Sequence, residues 1–512
     1  MRATRGLEYT HAVTGLRALL LGCVVAAGAC GADKPNARGA SCVADTDCGS
    51  LTCDAKLDAM PKDLAELALE CGDALGKGRQ GARCETAADC ARGICLLAGA
   101  CARPCASDAD CSGDERCQAA FGRSARETLQ KLDACVEIAH LPKDGHARST
   151  LRKNALNAGT NEVALDAAAT EGTTLYVLEP GVDHWPEGGD CRPPLCVRAL
   201  HARDAEQSEL FSASADYTQL APPSNPVATG DQIDPPVIQL PSGARDALSV
   251  DGYIASVQAA RRADLRMTRL TRSGSGQRLD LNVFYVGGLD WTPEGDRGPP
   301  LLAAALDTVD EILSQADIFV GDVRQIAVPG ELPARGTAFP EGDAAQGFAV
   351  LKVRFGVNIE LPGLFRLSAG AANSAINLFF AKDIQPRSSD GEPEAEAGGI
   401  PGPLGMQGTA GSGIAIATDM MAGNPQMLGR TLAHEIAHYL GLFHTSESDG
   451  SVLDSLADTP ECRKDKDTAH DGLNVQDCAG AGADNLMFWA KTSGTVLTPQ
   501  QQAVLRAALI LE

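Results

Sequence analysis

Aromatic residues make up only 4% of this 512-residue chain. Any core is therefore built mainly from aliphatic side chains, and a hydrophobic content of 44% supplies enough of them. Basic residues are also short: 44 Lys and Arg stand against 67 Asp and Glu, a net charge of −23. Such a surface repels nucleic acid and anionic lipid, so neither is expected as a partner. The apolar run at Ala18 to Ala27 is well short of the roughly 20 residues a permanent bilayer span needs. Paired C-x2-C spacings are missing, which excludes zinc ribbons, and no EF-hand spacing occurs. Cysteine nearly vanishes from the later chain, with 14 of 18 lying before residue 136. The length implies about two to four domains.

The early cysteine density points to an oxidising compartment and a disulfide framework. Met1 to Ala29 reads as an export signal, with Arg2, Arg5 and Arg17 before the apolar run. Ala27-Gly28-Ala29-Cys30 resembles a bacterial lipobox, which makes Cys30 the candidate lipidated N-terminus. Leu20-Leu21-Gly22-Cys23 also fits but leaves too short an apolar core, and ordinary signal cleavage is the alternative. Localisation is thus expected to be exported, as a cell-surface or outer-membrane lipoprotein or else secreted. Any membrane contact would run through that anchor. After a linker at 30–39, residues 40–136 carry a repeat: Cys42-x5-Cys48-x4-Cys53, Cys84-x5-Cys90-x4-Cys95 and Cys105-x5-Cys111-x5-Cys117. Asp47, Asp89 and Asp110 each precede the middle cysteine. Modules this short cannot bury a core, so disulfides must hold them, as a binding element or a spacer. Their pairing stays open. Short helices are expected at Leu64 to Leu69 and Ala125 to Leu132.

Residues 150–245 alternate short apolar runs with Pro- and Gly-rich turns, reading as a small β-rich domain and a candidate pro-segment. With Cys23 removed and Cys30 acylated, 16 cysteines remain, and Cys191 with Cys196 forms one of the even groups. A local disulfide is expected there; the alternative is a latch in which one thiolate binds a metal. Residues 246–278 are expected as a linker. They contain a basic cluster, Arg261 to Arg278, that is either an exposed activation site or the outer face of a helix.

His434-Glu435-Ile436-Ala437-His438-Tyr439-Leu440-Gly441-Leu442-Phe443-His444 fits H-E-x-x-H-x-x-G-x-x-H, the extended zinc-protease signature. On a helix, positions i and i+4 share a face, so His434 and His438 can aim at one metal ion. Asn424 and Pro425 suit the start of that helix. Gly441 can take the left-handed conformation that lets the chain double back and bring in His444. Three ligands leave a fourth position for water, the mark of a catalytic zinc. Glu435 is then placed as general base. Chance would produce the five fixed positions with a probability of roughly 10⁻⁵.

The signature resembles the metzincin clan of metallopeptidases. Gly441-Leu442-Phe443-His444-Thr445-Ser446-Glu447, Asp458-Thr459-Pro460, Cys462 with Cys478, and Asn485-Leu486-Met487 are similar to the pappalysin family. The similarity is specific over about the last hundred residues and weaker back to about residue 279. It implies a Met-turn at Met487 beneath the histidines. Many members carry Met-x-Tyr, whose tyrosine helps hold the transition-state oxyanion. Here Trp489 occupies that place, a candidate oxyanion or substrate contact that can donate but cannot ionise. Ala490-Lys491-Thr492 replaces the carboxylates that accompany a preference for basic residues, so that preference is not carried over.

The catalytic domain is expected over 279–512. Strands are read at Leu279 to Val286, Phe348 to Val357, Ile376 to Ala381 and Ile414 to Thr418, with a helix from Pro300 to about Ala316. Ser412 or Gly413 is expected near an edge strand that holds an extended peptide by β-addition. Glu447, Asp449, Asp454, Asp458 and Asp467 are candidate calcium ligands. Cys462 and Cys478 would close a loop contributing roughly 3 kcal/mol in the chain-entropy model. Thr498 and Pro499 open a last helix to about Leu511, with Ala503, Leu505, Ala508 and Leu509 facing the core. The fold class is α+β: a metzincin-like catalytic domain, with a mixed twisted sheet, an active-site helix and a C-terminal helix, behind a disulfide-rich repeat region and a small β-rich domain. The expected function is an exported zinc endopeptidase with one catalytic Zn2+, Ca2+ as a candidate second ion, and protein or peptide substrates. No oligomer is implied. The alternative is a cell-surface binding or adhesion lipoprotein on a non-catalytic scaffold.

Overall fold

The structure, a computed structural model, describes residue 38 and residues 40–512, except for 56–68, 75, 124–128, 166–172, 181–194, 203–208, 213–236, 241–252, 260–262, 288, 329–349, 355, 356, 359, 372, 386–394, 420–422, 455, 469–472 and 491–493. The signal peptide and Cys30 lie outside the described residues, as does Cys191. The proposed Cys191–Cys196 bond and its latch alternative therefore fall outside as well. Among the described residues, no helix is long and apolar enough to cross a membrane.

The cysteine-rich region is three interlocked modules, each with first-to-third and second-to-fourth pairing. The bonds are Cys42–Cys53 and Cys48–Cys71, Cys84–Cys95 and Cys90–Cys101, then Cys105–Cys117 and Cys111–Cys135. The recurring aspartate has a local reason. Asp47 accepts from the N–H groups of Val43 and Ala44, Asp89 from Glu85 and Thr86, and Asp110 from Ala106 and Ser107. Each carboxylate thus folds the turn that presents its neighbouring cysteine. Of the helix expected at Ala125 to Leu132, residues 125–128 lie outside the described residues and 129–132 are strand instead. Leu129–Glu137 is a strand paired antiparallel with Glu115–Arg123, with Cys117 opposite Cys135. Tertiary pairing overrides helix propensity there. Of the helix expected at Leu64 to Leu69, residues 64–68 lie outside the described residues, and Leu69 begins a strand.

Two four-stranded antiparallel sheets follow. The stretch expected as a linker at 246–278 supplies strands to both: Tyr253–Ala259 in one and Ala263–Arg272 in the other. Ala263–Arg272 is central, hydrogen-bonded to Ala147–Leu156 on one side and Thr173–Pro180 on the other. From Ala263 to Arg272 the basic cluster is therefore strand and not a helix face; Arg261 and Arg262 lie outside the described residues, and residues 273–277 form a loop. Leu265, Met267 and Leu270 are buried, while Arg266 pairs with Asp108 and Arg272 with Asp144. Those partners come from distant sequence, so local periodicity could not show that the arginines are compatible with a strand.

The last part carries a five-stranded sheet in the order Phe319–Ala327, Arg278–Tyr285, Ile376–Ala381, Ile414–Ala417, Ala395–Ala397. The first four are parallel and Ala395–Ala397 is an antiparallel edge. The parallel strands Arg278–Tyr285, Ile376–Ala381 and Ile414–Ala417 are almost wholly buried, as sheets covered on both faces require. The helix Pro300–Leu313 packs on the histidine-bearing helix Pro425–Tyr439. Gly429 makes this crossing close: a Cβ there would lie 2.4 Å from the Ala305 carbonyl oxygen. The C-terminal helix ends at Arg506, sooner than its apolar positions suggest, and Val504 rather than Ala503 faces inward. Beyond it, Glu512 bonds by its backbone to Arg278 at the start of the sheet.

The cysteine-rich region is not a detached stalk. Leu97 and Phe121 share one buried cluster with Phe284, Leu351, Phe365 and Phe379. Gln118 donates to the Gln407 carbonyl at 3.2 Å, and the His140 N–H donates to Gly405 at 2.7 Å. Both contacts land on the glycine-rich loop between Gly398 and Gly413.

Candidate metal centre

The Asn424 side chain accepts from the Met427 N–H at 3.0 Å and Pro425 takes the first helical position, which starts the Pro425–Tyr439 helix. Leu428, Leu432, Ala433, Ile436 and Ala437 bury its other face. His434 and His438 then project one turn apart. Gly441, at φ 115°, reverses the chain and His444 comes back to both. The His444 Nε2 lies 3.0 Å from the His438 Nε2 and 3.3 Å from that of His434.

The other ring nitrogens determine what those contacts are. The Nδ1 of His434 sits 2.7 Å from the Leu486 carbonyl, and that of His438 sits 2.6 Å from the Leu442 carbonyl. A carbonyl can only accept, so both Nδ1 atoms carry hydrogen. The His444 Nδ1 faces the Glu447 carboxylate at 3.0 Å. Burial, reinforced by the neighbouring imidazoles, pushes His434 down to about 3 and His438 well below the usual histidine range. These rings are neutral, with Nε2 lone pairs converging on one point. Two such lone pairs facing a third imidazole nitrogen this closely favour a cation between them. Three imidazole nitrogens, each fixed by a hydrogen bond on its far side, form a donor set that suits zinc. Sequence reasoning missed Glu447 in this role, although a carboxylate three residues after the third histidine was the available signal.

Glu435, which follows His434 in the helix, is half-buried. Burial, with the Glu396 carboxylate nearby, raises it to about 8, while an N–H bond from Ala397 pulls the other way. Ala397 belongs to the antiparallel edge strand, so the general-base candidate is tied to the edge of the sheet. Ser412 and Gly413, expected near an edge strand, lie just before the start of the strand that pairs with it. Ser412 is buried and bonded to Ser368 and Thr409, and the Gly413 carbonyl receives the Gly398 N–H.

Met487 is fully buried in the principal core. Its carbonyl accepts from the Thr445 N–H at 2.9 Å, and its own N–H donates to the Asn485 side chain at 2.8 Å. Trp489 packs with Phe488 in the cluster around the Cys462–Cys478 bond. Its indole N–H is buried and has no hydrogen-bond partner.

The acidic residues after His444 are mostly engaged. Glu447 holds His444, Asp449 folds onto Ser451, and Asp458 caps the last helix through Thr498 and Gln500. Asp454 differs. Thr459 and the Leu456 N–H bond one of its oxygens, while the other is buried without a partner, as is the Thr445 hydroxyl. Burial raises Asp454 to about 7.

No family model matches the chain. Among curated proteins it is 37% identical over 60 residues to an "Extracellular metalloprotease" of Arthroderma benhamiae and to one of Trichophyton verrucosum. That match covers 11% of this chain and 21% of each relative, so the chain spans about a fifth of their length. Among solved structures, the infectious bursal disease virus VP2 subviral particle aligns with 28% of this chain and 35% of its own, at 10% identity and a TM-score of 0.11; a likeness that low carries no argument about fold. The similarity to named proteins is thus to metalloproteases, and it is confined to a fragment.

Proposed function

We propose that this chain is an exported zinc-dependent endopeptidase of the metzincin type, close to the pappalysins. The observation that carries the reading is the convergence of the Nε2 atoms of His434, His438 and His444, with Glu435 next to His434 in the same helix. His434, His438 and His444 would hold the metal. When bound, zinc supplies a Lewis acid that polarises a carbonyl and acidifies water. Glu435 takes the proton from the attacking water and delivers it to the leaving amine nitrogen as the C–N bond breaks. Ala397 fixes the Glu435 carboxylate on the same strand whose outer edge can pair with an extended peptide. Water attack and substrate alignment are thereby coupled through one backbone N–H.

The fragmentary likeness to extracellular metalloproteases and the seven disulfides among the described residues support export, since such bonds persist in oxidising compartments. Anchoring through a lipid on Cys30 is part of the proposal. For the candidate calcium, we assign Asp454 with Thr445, whose buried oxygens lack partners among the described residues of the acidic loop.

The test is zinc content and peptide cleavage of the chain from residue 31 onward, against Glu435→Ala. One zinc per chain and cuts that disappear in the variant are expected. Cleavage that survives in Glu435→Ala overturns the assignment. Zinc without cleavage in either protein would favour the binding-scaffold alternative.

A further inference from the structure

Fifty-seven residues after His444, on the C-terminal helix Pro499–Arg506, Gln501 has no solvent exposure at all. Its carboxamide is paired reciprocally with that of Asn485. The Gln501 Nε2 donates to the Asn485 Oδ1 at 3.1 Å, and the Asn485 Nδ2 donates to the Gln501 Oε1 at 2.9 Å. Each oxygen takes one further bond. The Gln501 Oε1 accepts from the Thr498 N–H at 3.0 Å, and the Asn485 Oδ1 accepts from the Met487 N–H at 2.8 Å. Both amide oxygens are thus saturated with no help from water, which makes the pair rigid and costly to break.

The pair fixes the backbone on which the histidines rest. Asn485 also receives the Phe488 N–H on its own carbonyl, closing the turn over Leu486 and Met487. The Leu486 carbonyl in that turn accepts the His434 Nδ1–H, and the Met487 carbonyl accepts the N–H of Thr445, next to His444. A displacement of the turn therefore re-aims one ligand directly and shifts the backbone beside a second. Nothing else in the C-terminal helix reaches the turn through a paired side chain among the described residues.

We propose that Gln501 is a positioning residue for the metal centre, holding His434 in its tautomer and direction through Asn485 and the Leu486 carbonyl. This rests on the metal reading above. The competing account is that Gln501 only caps its own helix, because it also closes a capping box with Thr498. Thr498→Ala separates the two. It removes the hydroxyl of the cap but keeps the Thr498 N–H and the whole Asn485–Gln501 pair. Gln501→Met keeps the shape of the side chain and removes the pair.

The experiment uses the exported chain from residue 31, with zinc affinity measured by chelator competition and the cobalt-substituted protein examined by visible spectroscopy. Gln501→Met is expected to weaken zinc about 10- to 100-fold, as losing a group behind a metal ligand typically does, and to alter the cobalt bands. Thr498→Ala is expected to change affinity by less than about threefold and to leave the bands alone. If Gln501→Met does not fold, Gln501→Glu, measured at a pH where the new carboxyl is ionised, carries the same expectation, since it keeps both bonds to Oε1 and loses only the donor to Asn485. Unchanged affinity in the Gln501 variant, or an equal loss in Thr498→Ala, overturns the proposal. A parent chain that takes up no zinc is a different failure: it overturns the metal reading itself and shows before any variant is compared.

Discussion

Replacing Phe121 by Ala tests whether the cysteine-rich modules share a core with the part of the chain that carries the three histidines. Phe121 is 3% exposed and sits among Phe284, Phe365, Phe379 and Leu351, all from beyond residue 279. A buried phenyl ring removes roughly 150 Å² or more of apolar surface from water, and at about 25 cal/mol per Å² that is near 4 kcal/mol. The range of roughly 3–5 kcal/mol for buried Phe→Ala agrees. Hydrogen exchange on the zinc-loaded full chain, with disulfides intact, reads where that loss appears. A 4 kcal/mol loss corresponds to about a thousandfold faster exchange for amides that open with the shared cluster. Ile376–Ala381, whose Phe379 stacks on Phe284 at 4.4 Å, should show it along with Glu115–Arg123. Val43→Ala, on an exposed side chain of the first module, should change neither. Acceleration confined to the cysteine-rich strands, with Ile376–Ala381 unmoved, would refute the shared core.

Glu447→Gln should weaken zinc about 10- to 100-fold by removing the carboxylate behind His444, measured by chelator competition. Ala397→Pro deletes the N–H that holds Glu435 down, at an edge strand where proline is tolerated; the Glu435 pKa should rise, moving the acid limb of the kcat/KM profile to higher pH, and an unmoved limb would break the link between strand and base. Asp454 is raised when folded, so its contribution to stability is complete below about pH 4 and is lost as pH rises through about 7, a penalty on the order of 4 kcal/mol in calcium-free buffer. Asp454→Asn should flatten that part of the pH dependence of urea unfolding and remove any stabilisation by calcium; a variant still stabilised by calcium would place the ion elsewhere.

The histidine helix was legible in full because its information is local. Asn424, Pro425, the apolar spacing and Gly441 all act within a turn or two of where they stand. The strands at 278–285, 376–381 and 414–417 were legible for the same reason, each being a short apolar run between turn residues. What escaped depends on partners far away in sequence. Arg266 and Arg272 tolerate a strand only because Asp108 and Asp144 meet them. The fourth cysteine of each module, Cys71, Cys101 or Cys135, lies at a variable distance, and so the repeat showed as triplets. The edge strand Ala395–Ala397 is three residues long and has no period to detect.

The glycine-rich loop between Gly398 and Gly413 connects the chain's two most conspicuous features. It is buried along most of its length, which a loop can sustain only if its polar groups find partners. They do: Gln407 bonds Asn377 and the Ala375 carbonyl, Gly408 donates to Ser368, and Gln118 and His140 reach in from the cysteine-rich side. The strand Ala395–Ala397 runs directly into this loop and bonds Glu435 at its other face. The disulfide modules are thus one wall of the support for this edge strand, the proposed peptide-binding edge, while the described hydrogen bonds of the histidines run to Leu442, Leu486 and Glu447. Reduction of the modules should therefore disturb peptide alignment before metal retention, raising KM while zinc stays bound. A peripheral stalk would leave both unchanged.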